Sequence, residues 1–182
     1  MGSSSNILTV AMTGLILAGA PSPALSASVS FTGTVTRVID GDSVIIQPGI
    51  SFPDSLTLRH SDTQTAAKRL RLAEIDAPEM HQPFGPEAKA ALEAMVLGKR
   101  VVVAYKDRDR YGRIIGTLYL DGVSVNLRLV AAGAAWHFRK YSKSAVLRQA
   151  ERRARTAARG LWRSRPTVAP WEFRSTGRIG TR

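Results

Sequence analysis

Arg71-Leu72-Ala73-Glu74-Ile75-Asp76-Ala77-Pro78-Glu79 begins as an apolar strand and ends in a turn that carries two acids. Leu70, Leu72, Ala73 and Ile75 are the candidates for burial. Pro78 has no N–H and disfavours a helical conformation at Ala77, so the chain must leave any sheet here. Asp76 and Glu79 therefore stand at a strand end, where chemistry usually lives.

Upstream, Val29, Phe31, Val35 and Val38 are β-formers interleaved with Thr32, Thr34 and Thr36. Ile39-Asp40-Gly41-Asp42-Ser43 interrupts them, and Asp-Gly is a tight-turn signal. Val44-Ile45-Ile46 resumes as a second strand, with the Asp40 and Asp42 side chains expected to point away from the sheet. Residues 47–67 read as an extended loop or an added hairpin. Residues 68–75 are the third strand.

Downstream, Gly85 and Pro86 open a helix in which Ala88, Leu92, Met95 and Val96 recur at helical spacing, and Gly98 ends it. Residues 100–105 and 114–120 are the fourth and fifth strands. Between them lies the charged connection Asp107-Arg108-Asp109-Arg110-Tyr111-Gly112-Arg113. A short helix is expected over 125–132, stopped by Gly133. Another runs from Ser144 to Arg159, with an apolar stripe at Leu147, Ala150, Ala154 and Ala157. The order β-β-β-α-β-β-α-α predicts a β-rich α+β fold: a five-stranded OB-type barrel, three packed helices and a basic C-terminal tail.

Composition narrows the function. The chain has 182 residues and no cysteine, which excludes disulfides, thiolate metal sites and a cysteine nucleophile. Its net charge is +12. Residues 1–138 hold 13 Lys/Arg against 12 Asp/Glu, and residues 139–182 hold 13 against 2. Arginine-rich charge confined to the last quarter suits a polyanion such as nucleic acid. Residues 1–27 have the apolar run and small-residue cleavage region of an export signal, although no Lys or Arg precedes the run. The expected organisation is a signal at 1–27, a barrel domain at 28–162 and a basic, aromatic-containing tail at 163–182. The tail is expected to pack its tryptophans and leave its end loose. A secreted or periplasmic location, a monomer and no stable membrane association after signal removal follow from this reading.

Four pieces carry chemistry: Asp40-Gly41-Asp42, Arg71, Asp76 to Glu79, and Tyr111-Gly112-Arg113. Asp42 and Asp76 are hard oxygen donors with no His or Cys beside them, which favours a cation of the Ca²⁺ type over zinc. Together with Phe84-Gly85-Pro86-Glu87-Ala88, Asp109-Arg110-Tyr111-Gly112-Arg113 and residues 135–141, these pieces resemble the thermonuclease (staphylococcal nuclease-like) family over residues 31–162.

The resemblance implies a Ca²⁺-dependent endonuclease that cleaves single- and double-stranded DNA and RNA with low sequence specificity and leaves 3′-phosphate ends. It implies one Ca²⁺ held by Asp42, Asp76 and the Ala77 backbone carbonyl, with Asp40 in support. It makes Glu79 the general base and Arg71 and Arg113 the phosphate grips, with Arg110, Tyr111, Arg139 and Tyr141 binding substrate. Where the family has an aromatic residue packing on a base, this chain has Arg139, whose flat guanidinium also stacks. Ala77 and Ser43 stand in place of threonines. Glu74 has no role in this scheme and is expected to be a surface or ion-pairing residue. The alternative is a non-catalytic OB module that binds nucleic acid through its basic quarter. Retention of all five of Asp42, Arg71, Asp76, Glu79 and Arg113 speaks against it.

Overall fold

The computed structural model describes residues 29–49, 66–164 and 166–177. Most of the expected loop at 47–67, and the whole export signal, lie outside these described residues. Among them, no helix is long and apolar enough to cross a membrane.

The strands are β1 (Val29–Asp40), β2 (Ser43–Pro48), β3 (Lys68–Leu72), β4 (Ile75–Asp76), β5 (Arg100–Arg108), β6 (Ile114–Leu120), β7 (Val123–Ser124) and β8 (Trp136–His137). The helices are α1 (Gly85–Val96), α2 (Val125–Ala132), α3 (Ala145–Thr156) and α4 (Pro170–Gly177), with a 3-10 turn at Gly160–Arg163. β1 pairs with β5 through its first half and with β2 through its second. Irregularities at 35–37 and 38–40 bend it between the two partners. Antiparallel pairs β2–β3 and β5–β6 extend the sheet. The parallel pair β3–β6, in register Leu70↔Ile114, Arg71↔Ile115 and Leu72↔Gly116, then closes it. The result is the expected five-stranded barrel of OB type.

Alternation along the strands fills its interior. Val35, Val44, Ile46, Leu70, Leu72, Val103, Ile114 and Leu118 are all buried. Helix α1 covers the core with Ala88, Leu92 and Val96, and α2 adds Leu129 and Val130. The Ser124 hydroxyl caps α2 by accepting from the Leu127 N–H, and Gly133 ends it at φ 72°. Ser144 caps α3 in the same way.

Three departures from the sequence expectation matter for the site. The strand expected over 68–75 is two strands. Glu74 adopts φ 66°, so the chain leaves β3 after Leu72 and re-enters a separate ladder, β4 paired with β8. The α3 stripe includes an acid: Glu151 is buried and pairs with Arg139 and Arg155, whereas Ala157 is exposed. The tail forms a fourth helix, α4. Trp171 of α4 stacks on Phe138 at 5.2 Å and meets Trp136 edge-on at 5.5 Å. A second apolar cluster of Trp136, Ala154, Leu161, Trp162 and Ala169 lies beneath it.

Candidate active site

The site begins with the β2–β3 register. Ser43 lies opposite Arg71, and the Leu72 N–H donates to the Asp42 carbonyl at 2.8 Å. The Asp-Gly-Asp turn is thereby laid against the end of β3. Asp40 holds the turn, its Oδ1 accepting from the Asp42 N–H at 3.0 Å. Gly41 is required because a Cβ there would sit 2.6 Å from the Ala77 Cβ. Asp42 does not point freely outward, as the turn alone implied. It is buried, and its Oδ2 accepts from the Ala77 N–H and from Arg71 Nη1, each at 2.8 Å.

Arg71 bridges two acids. Its Nη1 reaches Asp42 and its Nη2 donates to Asp76 Oδ1 at 2.8 Å. Nη1 also donates to the Leu72 and Ile75 carbonyls, at 3.0 and 3.1 Å. The turn at 73–74 folds those carbonyls back over β3, which is how a single guanidinium meets four acceptors. Asp76 is 1% exposed.

Burial raises the Asp42 carboxyl to about 7. The charges of Asp40 and Asp76 push the same way, against the lowering effect of Arg71 and the Ala77 N–H.

Glu79 is set by a tight loop. Its carbonyl accepts from the Gln82 N–H at 2.9 Å, and its N–H donates to Gln82 Oε1 at 3.1 Å. The loop then runs into α1 at Gly85, where a Cβ would lie 2.0 Å from the Glu79 carbonyl oxygen. Only glycine allows this closure.

Arg113 comes from the connection between β5 and β6. Its Nε donates to Asp109 Oδ2 at 2.7 Å, while Asp109 Oδ1 accepts from the Tyr111 and Arg113 N–H groups, each at 2.9 Å. Burial of Asp109 is slight, and its opposing effect is outweighed by these hydrogen bonds, which lower the carboxyl's pKa. The guanidinium of Arg113 is therefore held on a short, preset turn.

One cavity of about 790 Å³ gathers Asp40, Asp42, Arg71, Asp76, Ala77, Glu79, Arg110, Arg113 and Tyr141. Two expected substrate residues stand apart from its walls. Tyr111 is exposed, with Arg110 and Arg113 at 5.0 and 5.8 Å from its ring centre. Arg139 turns to Glu151 at 3.0 Å and lines a neighbouring hollow with Trp136 and Arg155. Glu74 is an anchor: its Oε1 accepts from the Ser142 hydroxyl at 2.9 Å, and its carbonyl accepts from the Phe138 N–H. His137, on β8, is buried with both ring nitrogens unpartnered among the described residues. Burial, the dominant effect, lowers its pKa.

Two residues of the site had no signal in the sequence. Gln82 is buried, and its Nε2 donates to the Val168 carbonyl at 2.6 Å, tying the Glu79 loop to the tail. Arg174, on α4, enters the cavity itself. Its Nη2 donates to Asp76 Oδ2 at 2.7 Å, and its Nη1 to Glu79 Oε1 at 2.5 Å and Asp76 Oδ1 at 3.3 Å. Burial of this guanidinium is outweighed by its bonds to Asp76 and Glu79, and its pKa is raised. The cleft thus carries a chain of alternating charge, Asp42–Arg71–Asp76–Arg174–Glu79. Among the described residues, no group of three or more Asp, Glu or His side chains is gathered closely enough to hold a metal ion by itself.

Fold and cleft together define a class: an OB-type barrel protein whose acids and arginines converge on one cavity suited to a phosphate-bearing ligand. The profile of the family described as Staphylococcal nuclease homologue matches residues 69–164. An uncharacterized endonuclease of Escherichia coli is 39% identical over 153 residues, 84% of this chain and 89% of that protein. An uncharacterized endonuclease of Haemophilus influenzae is 35% identical over 130 residues, 71% of this chain and 72% of its own length. The probable staphylococcal-like nuclease CAN1 of Oryza sativa subsp. japonica is 44% identical over 113 residues; the aligned part is 62% of this chain but 34% of that longer protein. The chain belongs to the staphylococcal nuclease family.

Proposed function

We propose that this chain is a metal-dependent endonuclease that hydrolyses phosphodiester bonds of DNA and RNA with low sequence specificity and leaves 3′-phosphate ends. The observation that carries the reading is the convergence of Asp42, Asp76, Glu79, Arg71 and Arg113 on one cavity. Endonucleases among the relatives, aligned over most of this chain, support it.

The donor set fits a hard cation. Asp42, Asp76 and the Ala77 carbonyl are oxygen ligands only, and water completes such a shell. Seven acidic residues line the cavity, Asp40, Asp42, Asp76 and Glu79 among them. Five arginines line it as well, and of these Arg71 and Arg174 pair with Asp42, Asp76 and Glu79, so acids outnumber cations and the cleft accommodates further positive charge. A bound Ca²⁺ would supply Lewis acidity toward a phosphate oxygen and reverse the local sign that otherwise repels the substrate.

The remaining chemistry belongs to side chains. Glu79 takes the proton of the attacking water as oxygen adds to phosphorus and the bond to the 5′ oxygen breaks, that oxygen leaving as a hydroxyl with a proton from solvent water. Arg71 and Arg113 neutralise charge as it develops on the phosphoryl oxygens, and their fork of donors matches that geometry. Asp40 keeps Asp42 aimed through the turn. Asp109 keeps Arg113 in place. Arg110 and Tyr141, on the cavity wall, contact the nucleotides beside the cleaved bond, while Tyr111 and Arg139, set outside that wall, meet the strand further along. The charge asymmetry of the chain draws the polyanion in, and export as a monomer completes the reading.

Digestion of single-stranded DNA with Ca²⁺ and with a chelator tests this. Cleavage that the chelator abolishes, with phosphate on the 3′ ends, is the expected result. DNA that is retarded but intact in both conditions means a binding module instead, and that retardation weakens steeply with salt.

A further inference from the structure

Arg174 lies beyond residues 69–164 matched by the family profile, and it reaches its partners across 95 and 98 residues of sequence. Its contacts fall on the same oxygens that the proposed function requires. Both oxygens of Asp76 accept from it, and so does Glu79 Oε1. Asp76 is 1% exposed and already gives Oδ1 to Arg71. A carboxylate engaged in this way has no oxygen left for an inner-shell cation. A Glu79 oxygen that accepts from a guanidinium is likewise a poor base for water.

The seat of α4 is small. It has eight residues, and an isolated helix of that length is not stable in water. Among its described side chains only Pro170 is buried; Trp171, Phe173 and Arg174 are half-buried, and Glu172, Ser175 and Thr176 are exposed. The helix is held by Trp171, which stacks on Phe138 and meets Trp136 edge-on at the rim of the second apolar cluster, by the Gln82–Val168 hydrogen bond just before it and by the ion pairs of Arg174. A segment so held is easily exchanged for a stronger partner of the same acids. A divalent ion brings twice the charge of a guanidinium and no side-chain entropy cost.

We propose that Arg174 is an internal competitor for the metal. With α4 docked, Arg174 stands on Asp76 and Glu79; when the ion binds at Asp76, Arg174 must withdraw and free Glu79 for the water. The tail helix therefore sets the apparent metal affinity and holds the base inactive until metal arrives. By linkage, docking weakens metal binding by the same factor that metal binding weakens docking. This inference rests on the metal-dependent reading above.

Calorimetric titration of Ca²⁺ into the full chain, and into its Arg174→Ala and Arg174→Gln variants, tests it without reference to activity. Both variants should bind Ca²⁺ about five- to thirty-fold more tightly than the unaltered chain, within the usual range of coupling between sites. Hydrogen exchange of the α4 amides in the unaltered chain should quicken when Ca²⁺ saturates the site. Equal or weaker affinity in both variants, or α4 protection indifferent to Ca²⁺, overturns the competitor role while leaving the metal site standing. Failure of all three proteins to bind Ca²⁺ overturns the metal-dependent reading, and the competitor role with it.

Discussion

Replacing Arg71 by alanine tests how the cleft is held together. The guanidinium stands between two buried acids, 2.8 Å from Asp42 Oδ2 and 2.8 Å from Asp76 Oδ1, and it closes two backbone carbonyls of the turn after β3. Removing one partner from a buried ion pair typically costs about 3–5 kcal/mol, because the other is left as an uncompensated buried charge. Asp76 keeps Arg174 at 2.7 Å, so the cost belongs chiefly to Asp42, whose carboxyl burial raises to about 7; measured well above that pH, where the acid is charged, it is expected near the lower end, about 3 kcal/mol. The assay is urea unfolding with chelator present. The origin of the loss is checked by repeating the substitution in an Asp42→Asn background. There the Asp42 charge is already gone, and the penalty should shrink by about 1–2 kcal/mol. Saturating Ca²⁺ should recover part of the loss in the single variant, since an ion bound only to the folded state stabilises it. A loss under about 1 kcal/mol, or the same loss in both backgrounds, refutes the argument that Arg71 compensates buried acids.

The other predictions address the reacting groups and their supports. Glu79→Gln should lower single-stranded DNA cleavage by about 10²–10³-fold with an unchanged circular dichroism spectrum, since the Glu79 side chain is 40% exposed and carries no core. Arg113→Ala should cost a similar factor in kcat, as for loss of one transition-state donor, about 10²–10³-fold; full activity in either variant removes that residue from the mechanism. Gly85→Ala drives a Cβ to 2.0 Å from the Glu79 carbonyl oxygen and should destabilise the fold by about 1–3 kcal/mol in urea unfolding, with cleavage falling as Glu79 shifts. Burial lowers the His137 pKa below the ordinary 6.5, so just below that pH the unfolded chain binds more protons than the folded one. Stability should therefore fall as pH drops below about 6.5, and His137→Gln should fold with a flatter pH profile in that range.

What was legible in the sequence was local. The Asp-Gly turn, the Ser144 cap and the Gly133 stop each depend on residues a few positions apart, and each appears as expected. Arg71, Asp76 and Glu79 share one stretch of nine residues, and the hairpin register brings Asp42 to them. The split after Leu72 was hidden because Glu74 takes a left-handed conformation that its residue type does not announce. Glu151 was hidden because a helical stripe read by hydropathy does not reveal that two arginines make burial of an acid tolerable. Arg174 and Gln82 were hidden for a different reason. Their roles arise from docking of α4 against a loop nearly one hundred residues earlier, and a tail without periodicity carries no trace of where it lands.

The central claim is that the acids and arginines of this cleft cut within a nucleic acid chain when a hard cation is bound. Nicking of closed circular plasmid measures this directly, because such a substrate has no ends. The unaltered chain with Ca²⁺ should convert supercoiled plasmid to open circles and then to fragments, while the same protein with chelator, and Asp76→Asn with Ca²⁺, should leave it supercoiled. Plasmid left intact by the unaltered chain with Ca²⁺, or cut equally well by Asp76→Asn, contradicts the account.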